Sequence, residues 1–167
     1  SLQQALNATT TGTITIEKDT ILTEPMIIAA GKNITLDLNA HILRSALQGG
    51  LIINNGTLNI IDSQEDGTST VEFSLIENLA DVGIQNNNVL TLGTDDANVY
   101  TNAPRIIGAT YGIVSQEGTT FNFYDGIIKG ATEAIQGIIT QITTQSGYSV
   151  KENQEIINEI TYLNKYL

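Results

Sequence analysis

The sequence contains no cysteine, so it has no disulfide framework and no thiolate to ligate a metal or attack a substrate. Charge is scarce as well: Asp, Glu, Lys and Arg make up 15% of the 167 residues, and only seven are basic. Those seven are scattered, whereas a protein that tracks phosphates needs a basic stripe. With a net charge of −11 and a pI near 4.2, the composition argues against nucleic acid and against anionic membrane surfaces as partners. No uncharged apolar run approaches the roughly 20 residues of a membrane-spanning helix, so no membrane insertion is expected. No basic, apolar leader precedes Ser1; the expectation is that any signal peptide or anchor has been removed or lies outside this stretch.

Hydrophobic residues are plentiful at 41%, and the polar remainder is mostly uncharged Thr, Asn, Gln, Ser and Gly. Disorder needs low hydrophobicity or high charge, so an ordered chain is expected, of a length that suits one domain. Its organising feature is a period. Apolar pairs separated by one polar residue recur as Ile14/Ile16, Ile34/Leu36/Leu38, Leu58/Ile60, Leu90/Leu92 and Phe121/Phe123. Ile14, Leu36 and Leu58 are spaced by 22; the next intervals, to Leu90 and Phe121, are 32 and 31. A repeat of 22 with insertions of about 10 accounts for the series. A second register agrees, because RIIGATYGI at 105–113 resembles GIIKGATEAI at 126–135 and Ile113 precedes Ile135 by 22.

Each unit consists of short alternating segments bounded by Gly, Asn or Asp. Alternation sends one set of side chains inward and the other outward, and Gly and Asn tolerate the backbone of sharp corners. The pattern predicts a parallel β-helix, with LIINN as one strand, Asn54-Asn55-Gly56 as a corner and GTLNIID as the next strand. Asn86-Asn87-Asn88 stands where Asn54-Asn55-Gly56 stood, which predicts a stacked polar ladder; the alternative is a turn residue repeated for its own sake. Phe121 and Phe123 fall in the inward column. The polar stretches 62–74 and 93–104 read as insertions, and loops on one face of a solenoid are where function concentrates.

An open solenoid exposes strand edges and needs caps. Residues 1–12 carry Leu2, Ala5 and Leu6 at helical spacing and read as a capping helix, followed by coils over 13–148. Residues 149–167 place Ile156, Ile157, Ile160, Leu163 and Leu167 at helical spacing, with Ser149 and Glu152 fitting a capping box. An amphipathic C-terminal helix is expected there, lying across the last coil or docking end to end on a neighbouring copy.

The segments NITLDLNAHILRS, IINNGTLNIID, VGIQNN and YGIVSQEGTTFNF resemble the right-handed parallel β-helix repeats of large cell-surface proteins from gut-dwelling Gram-positive bacteria. In that pattern Gly follows LDLN, where this chain has Ala40. The resemblance covers the chain to about residue 145 and implies secretion, surface display and adhesion or glycan contact. It implies no catalytic residue.

Enzyme chemistry on this frame means a polysaccharide lyase or a glycoside hydrolase. Glycoside hydrolysis needs two facing carboxylates, roughly 5 to 10 Å apart. Asp37, Asp62 and Asp125 lie near strand ends, and only Arg105 and Lys129 fall near them in register, without forming a motif. The strongly acidic chain also repels anionic glycans unless cations bridge them. Asp95 and Asp96, with Asn98 and Asn102, can offer oxygen ligands to calcium, or form a hydrated turn. His41 is the single histidine and lacks sequence partners; Arg44 and Asp37 suit a surface ion pair. Tyr100, Tyr111 and Tyr124 can stack on sugar rings, or pack at the core edge. The reading with most support is a non-catalytic extracellular or cell-surface module contacting a glycan or a surface protein of another cell or matrix. A carbohydrate-active β-helix and a self-assembling structural subunit are the alternatives, and no cofactor is implied beyond possible calcium.

Overall fold

The computed structural model describes residues 1–64, 74–94 and 104–142, together with the strands Ser149–Lys151 and Glu155–Asn158; from 142 onward the description concerns the backbone alone. The chain is a right-handed parallel β-helix whose coils pass in turn through three sheets. The first sheet stacks Thr11–Thr15, Asn33–Asp37, Thr57–Ile61, Val89–Leu92, Thr120–Phe123 and Gln141–Ile142. The second stacks Thr20–Leu22, Ile42–Ser45, Leu75–Asn78, Arg105–Gly108 and Gly126–Gly130, and the third stacks Met26–Ile28, Gly50–Asn54, Val82–Asn86, Tyr111–Ser115 and Glu133–Gly137.

Alternation explains the core. In the first sheet the inward columns are Ile34, Leu58, Leu90 and Phe121, and Ile14, Leu36, Ile60, Leu92 and Phe123, while Thr and Asn between them face out. Phe121 and Phe123 are fully buried and stack at 5.9 Å between ring centroids, as their place in the period predicts. Met26, Ile52, Ile84, Ile113 and Ile135 form the matching column of the third sheet.

The spacing departs from the sequence reading at one step. Ile14 pairs with Leu36, 22 residues on, but Leu36 pairs with Ile60 and not with Leu58, so the second coil is 24 residues long. A slip of two residues keeps every side chain on its own face, so the apolar alternation cannot distinguish 22 from 24. The extra length sits at the corner between the second and third sheets, where Leu22 and Met26 of the first coil correspond to Ser45 and Ile52 of the second. Asn78 holds this wider turn from inside, accepting from the N–H of Leu47 and donating to the carbonyls of Leu47 and Gly49 at 2.9 to 3.0 Å. The later intervals of 32, 31 and 22 stand as read.

The repeated Gly-Ala-Thr has a steric cause. Gly108 and Gly130 are partners in the second sheet, and a Cβ on Gly108 would lie 1.8 Å from the carbonyl oxygen of Tyr111. Only glycine lets the chain fold back this closely between the second and third sheets.

The N-terminal cap is the expected helix, Leu2–Ala8, opened by a capping box between Ser1 and Gln4 and anchored in the core by Leu6. The other end differs from the expectation. Ser149–Lys151 and Glu155–Asn158, within the stretch 149–167 read as a helix, are strands, and Glu155–Asn158 pairs antiparallel with Gly126–Gly130. Strand pairing satisfies the backbone groups along the edge of Gly126–Gly130, which a helix laid across them would leave unmet. The helical spacing of the apolar residues from Ile156 to Leu167 is a weak preference beside that requirement.

Candidate functional site

The corner that follows the first sheet is where the coils differ most. The chain crosses it in four residues in the first two coils, 16–19 and 38–41, and in two residues in the fifth, 124–125. In the third and fourth coils the same crossing takes residues 62–74 and 93–104. Both insertions read from the sequence therefore leave one longitudinal edge of the solenoid, on adjacent coils. Adjacent strands lie about 4.8 Å apart, so the two insertions are rooted side by side. The described residues include the roots and not the interiors, so Asp95, Asp96 and Tyr100 lie outside them.

Buried aspartates build the root of the first insertion. Asp37 Oδ1 accepts from the N–H groups of Asn39 at 2.9 Å and Ser63 at 3.0 Å, and Asp62 Oδ1 accepts from Ala40 at 3.0 Å and Gln64 at 3.1 Å. Each carboxylate thus binds its own turn and the turn of the neighbouring coil. The Asp62 side chain is fully buried, and its Oδ2 has no hydrogen-bond partner among the described residues. Asn39 and Ala40 both take left-handed conformations, with φ of 49° and 63°. Ala40 therefore takes a conformation that glycine adopts at less cost.

One coil below, Asp19 Oδ1 accepts from the N–H of Ile42 and meets His41 Nδ1, each at 3.0 Å. The Ile42 N–H, and then His41, hold the Asp19 carboxyl below its ordinary value. The single histidine is thus tied to the corner by a partner that the sequence reading missed. A 22-residue spacing from Asp19 to His41 was the available signal. Arg44 forms its ion pair with Glu77 of the next coil, Nε to Oε1 at 2.8 Å, and not with Asp37.

The remaining candidates are spread apart. Lys129 is exposed on the outer face of the second sheet, and Arg105 starts the neighbouring strand. Tyr124 stands at the corner before the second sheet, and Tyr111 at the corner after it, where its hydroxyl accepts from Gln136 Nε2 at 3.2 Å. Both rings are partly buried, and the width of a strand separates them, so they do not stack into one row. Among the described residues no group of three or more His, Asp or Glu side chains gathers to hold a metal, and no helix is long and apolar enough to cross a membrane. In comparisons with known proteins, no family model, curated protein or solved structure matches the chain.

Proposed function

We infer that this protein is a non-catalytic extracellular or cell-surface module, a rigid solenoid that presents loops to a glycan or to a surface protein. One observation carries the reading: the two longest connections leave the same edge on adjacent coils, where every other described coil crosses in four residues or fewer. Placing variable loops together on an otherwise repetitive support is how repeat folds build contact surfaces. The buried carboxylates at that edge bind turns, which suits a support better than acid and base chemistry. The resemblance to bacterial surface repeats favours secretion. Tyr111 and Tyr124, at the two corners of the second sheet, and Tyr100, in the sequence of the second insertion, are the aromatic residues proposed to meet sugar rings.

The test is a binding survey of the purified chain on host and microbial glycans, with and without calcium, followed by product analysis after prolonged incubation. Binding without cleavage is expected. Cleavage overturns the reading in favour of a carbohydrate-active enzyme, and failure to bind any glycan leaves only protein contact for the loops.

A further inference from the structure

The first coil treats its exposed strand edges unequally. Thr11–Thr15, Thr20–Leu22 and Met26–Ile28 each pair with the second coil alone. At the third sheet a side chain closes the edge: Gln3, on the N-terminal helix, accepts from the N–H of Ile27 at 2.9 Å and donates to its carbonyl at 3.1 Å. Those are the two bonds that a residue of an adjacent antiparallel strand makes. Lys32 pins the helix in place, its Nζ donating to the carbonyls of Leu6, Asn7 and Thr9 at 2.7 to 2.8 Å. A helix of seven residues is only about 10 Å long, and it serves this one edge.

Among the described residues no equivalent lies on the second sheet. Thr20–Leu22 ends that sheet, and Ile21 is 78% exposed at its centre. Beside the strand opens a cavity of about 540 Å³, bounded by Leu2, Ala5, Ile14, Ile16, Leu22 and Met26. The volume leaves ample room for an apolar side chain of a peptide. Proteins ordinarily blunt a bare edge with charge or proline on the strand itself, and Thr-Ile-Leu carries neither.

Charge selects the occupant. Glu17, Asp19 and Glu24 flank the strand, with Lys18 the single cation in the same stretch, and all four are exposed. A second copy would bring a further net charge of −11 to an acidic edge. An extended strand ending in Lys or Arg brings the opposite sign. We propose that Thr20–Leu22 is a docking edge for an extended segment of another protein, which adds as a strand, places an apolar residue in the cavity and sets basic residues against Glu17 and Glu24.

The probe is a labelled synthetic peptide of about ten residues, alternating Val and Thr with Lys at both ends, titrated by fluorescence anisotropy with the full 167-residue chain. Saturable binding is expected, weakened by about tenfold or more by Ile21→Lys in the protein, by Glu in place of the peptide's Lys, and by N-methylation of alternate peptide amides on the pairing edge. The methylated peptide leaves the protein untouched, so its result is independent of any effect of Ile21→Lys on folding. Absence of binding, equal binding of methylated and unmethylated peptides, or indifference to Ile21→Lys in a variant of unchanged far-UV spectrum overturns the proposal. Dimerisation of the chain that Ile21→Lys abolishes also overturns it, since a second copy is then the occupant.

Discussion

Asn54 donates through its side-chain nitrogen to the side-chain oxygen of Asn86 at 3.0 Å, 32 residues and one coil away, and both side chains are buried. Asn86 passes the contact on, donating to Ser115 Oγ at 3.0 Å and to the carbonyl of Thr120 at 2.9 Å. Outside this buried run, Asn87 donates to Asn55 at 2.9 Å. The ladder predicted at this corner is thus formed, and it ties the second, third and fourth coils together.

Truncating the middle rung costs polar groups on neighbouring coils one of their hydrogen bonds in a buried corner. Asn86→Ala is expected to cost about 2 to 3 kcal/mol in urea unfolding followed by circular dichroism. A cost below about 0.5 kcal/mol would show that water replaces the rung.

Glycine at the second corner is required by space. Gly108→Ala puts a methyl against the Tyr111 carbonyl, and Gly130→Ala puts one 2.1 Å from the Glu133 carbonyl. Each is expected to destabilise by about 2 to 4 kcal/mol, measured by the same denaturation series.

Ala40→Gly has the opposite sign. Ala40 is held at φ 63°, a conformation that disfavours residues carrying a Cβ. Relief of that strain is expected to raise stability by about 1 kcal/mol, less whatever the freer unfolded chain takes back.

Acid should weaken the first corner through Asp19. Its folded pKa lies below the ordinary 3.8, so the stabilisation is fully present above the unfolded value and is lost as pH falls through the folded one. The part of the stability difference between the parent and Asp19→Asn that rests on the carboxylate's charge is therefore expected to shrink as pH falls below about pH 4. A difference that persists unchanged at pH 2 to 3 would assign the loss to something other than the carboxylate's charge.

The architecture was legible because strand alternation and corner residues are local signals that each coil repeats. Phe121, Phe123, the Asn ladder and the paired Gly108 and Gly130 all follow from that repetition. Two features were not legible. The 24-residue coil hides behind a slip that preserves facing, and its cause, the turn at Leu47 and Gly49 held by Asn78, is a contact between coils. The apolar residues from Ile156 to Leu167 have helical spacing, and the edge of Gly126–Gly130 on which Glu155–Asn158 pairs becomes visible only once the coils are stacked. The candidate site was partly legible: both insertions were found, but their shared edge depends on which connector each interrupts. Asp37 and Asp62 read as possible acids, and their turn-binding role emerges only from contacts across coils.

The central claim is that the coils support and the insertions contact. The most direct measurement compares the parent chain with a variant in which 63–73 and 94–103 are each replaced by a turn as short as that of the second coil, on one panel of glycans and cell-surface proteins. The account expects the variant to keep the β-rich spectrum and to lose the parent's binding, with no product formed by either. Binding retained in full by the shortened chain would contradict it.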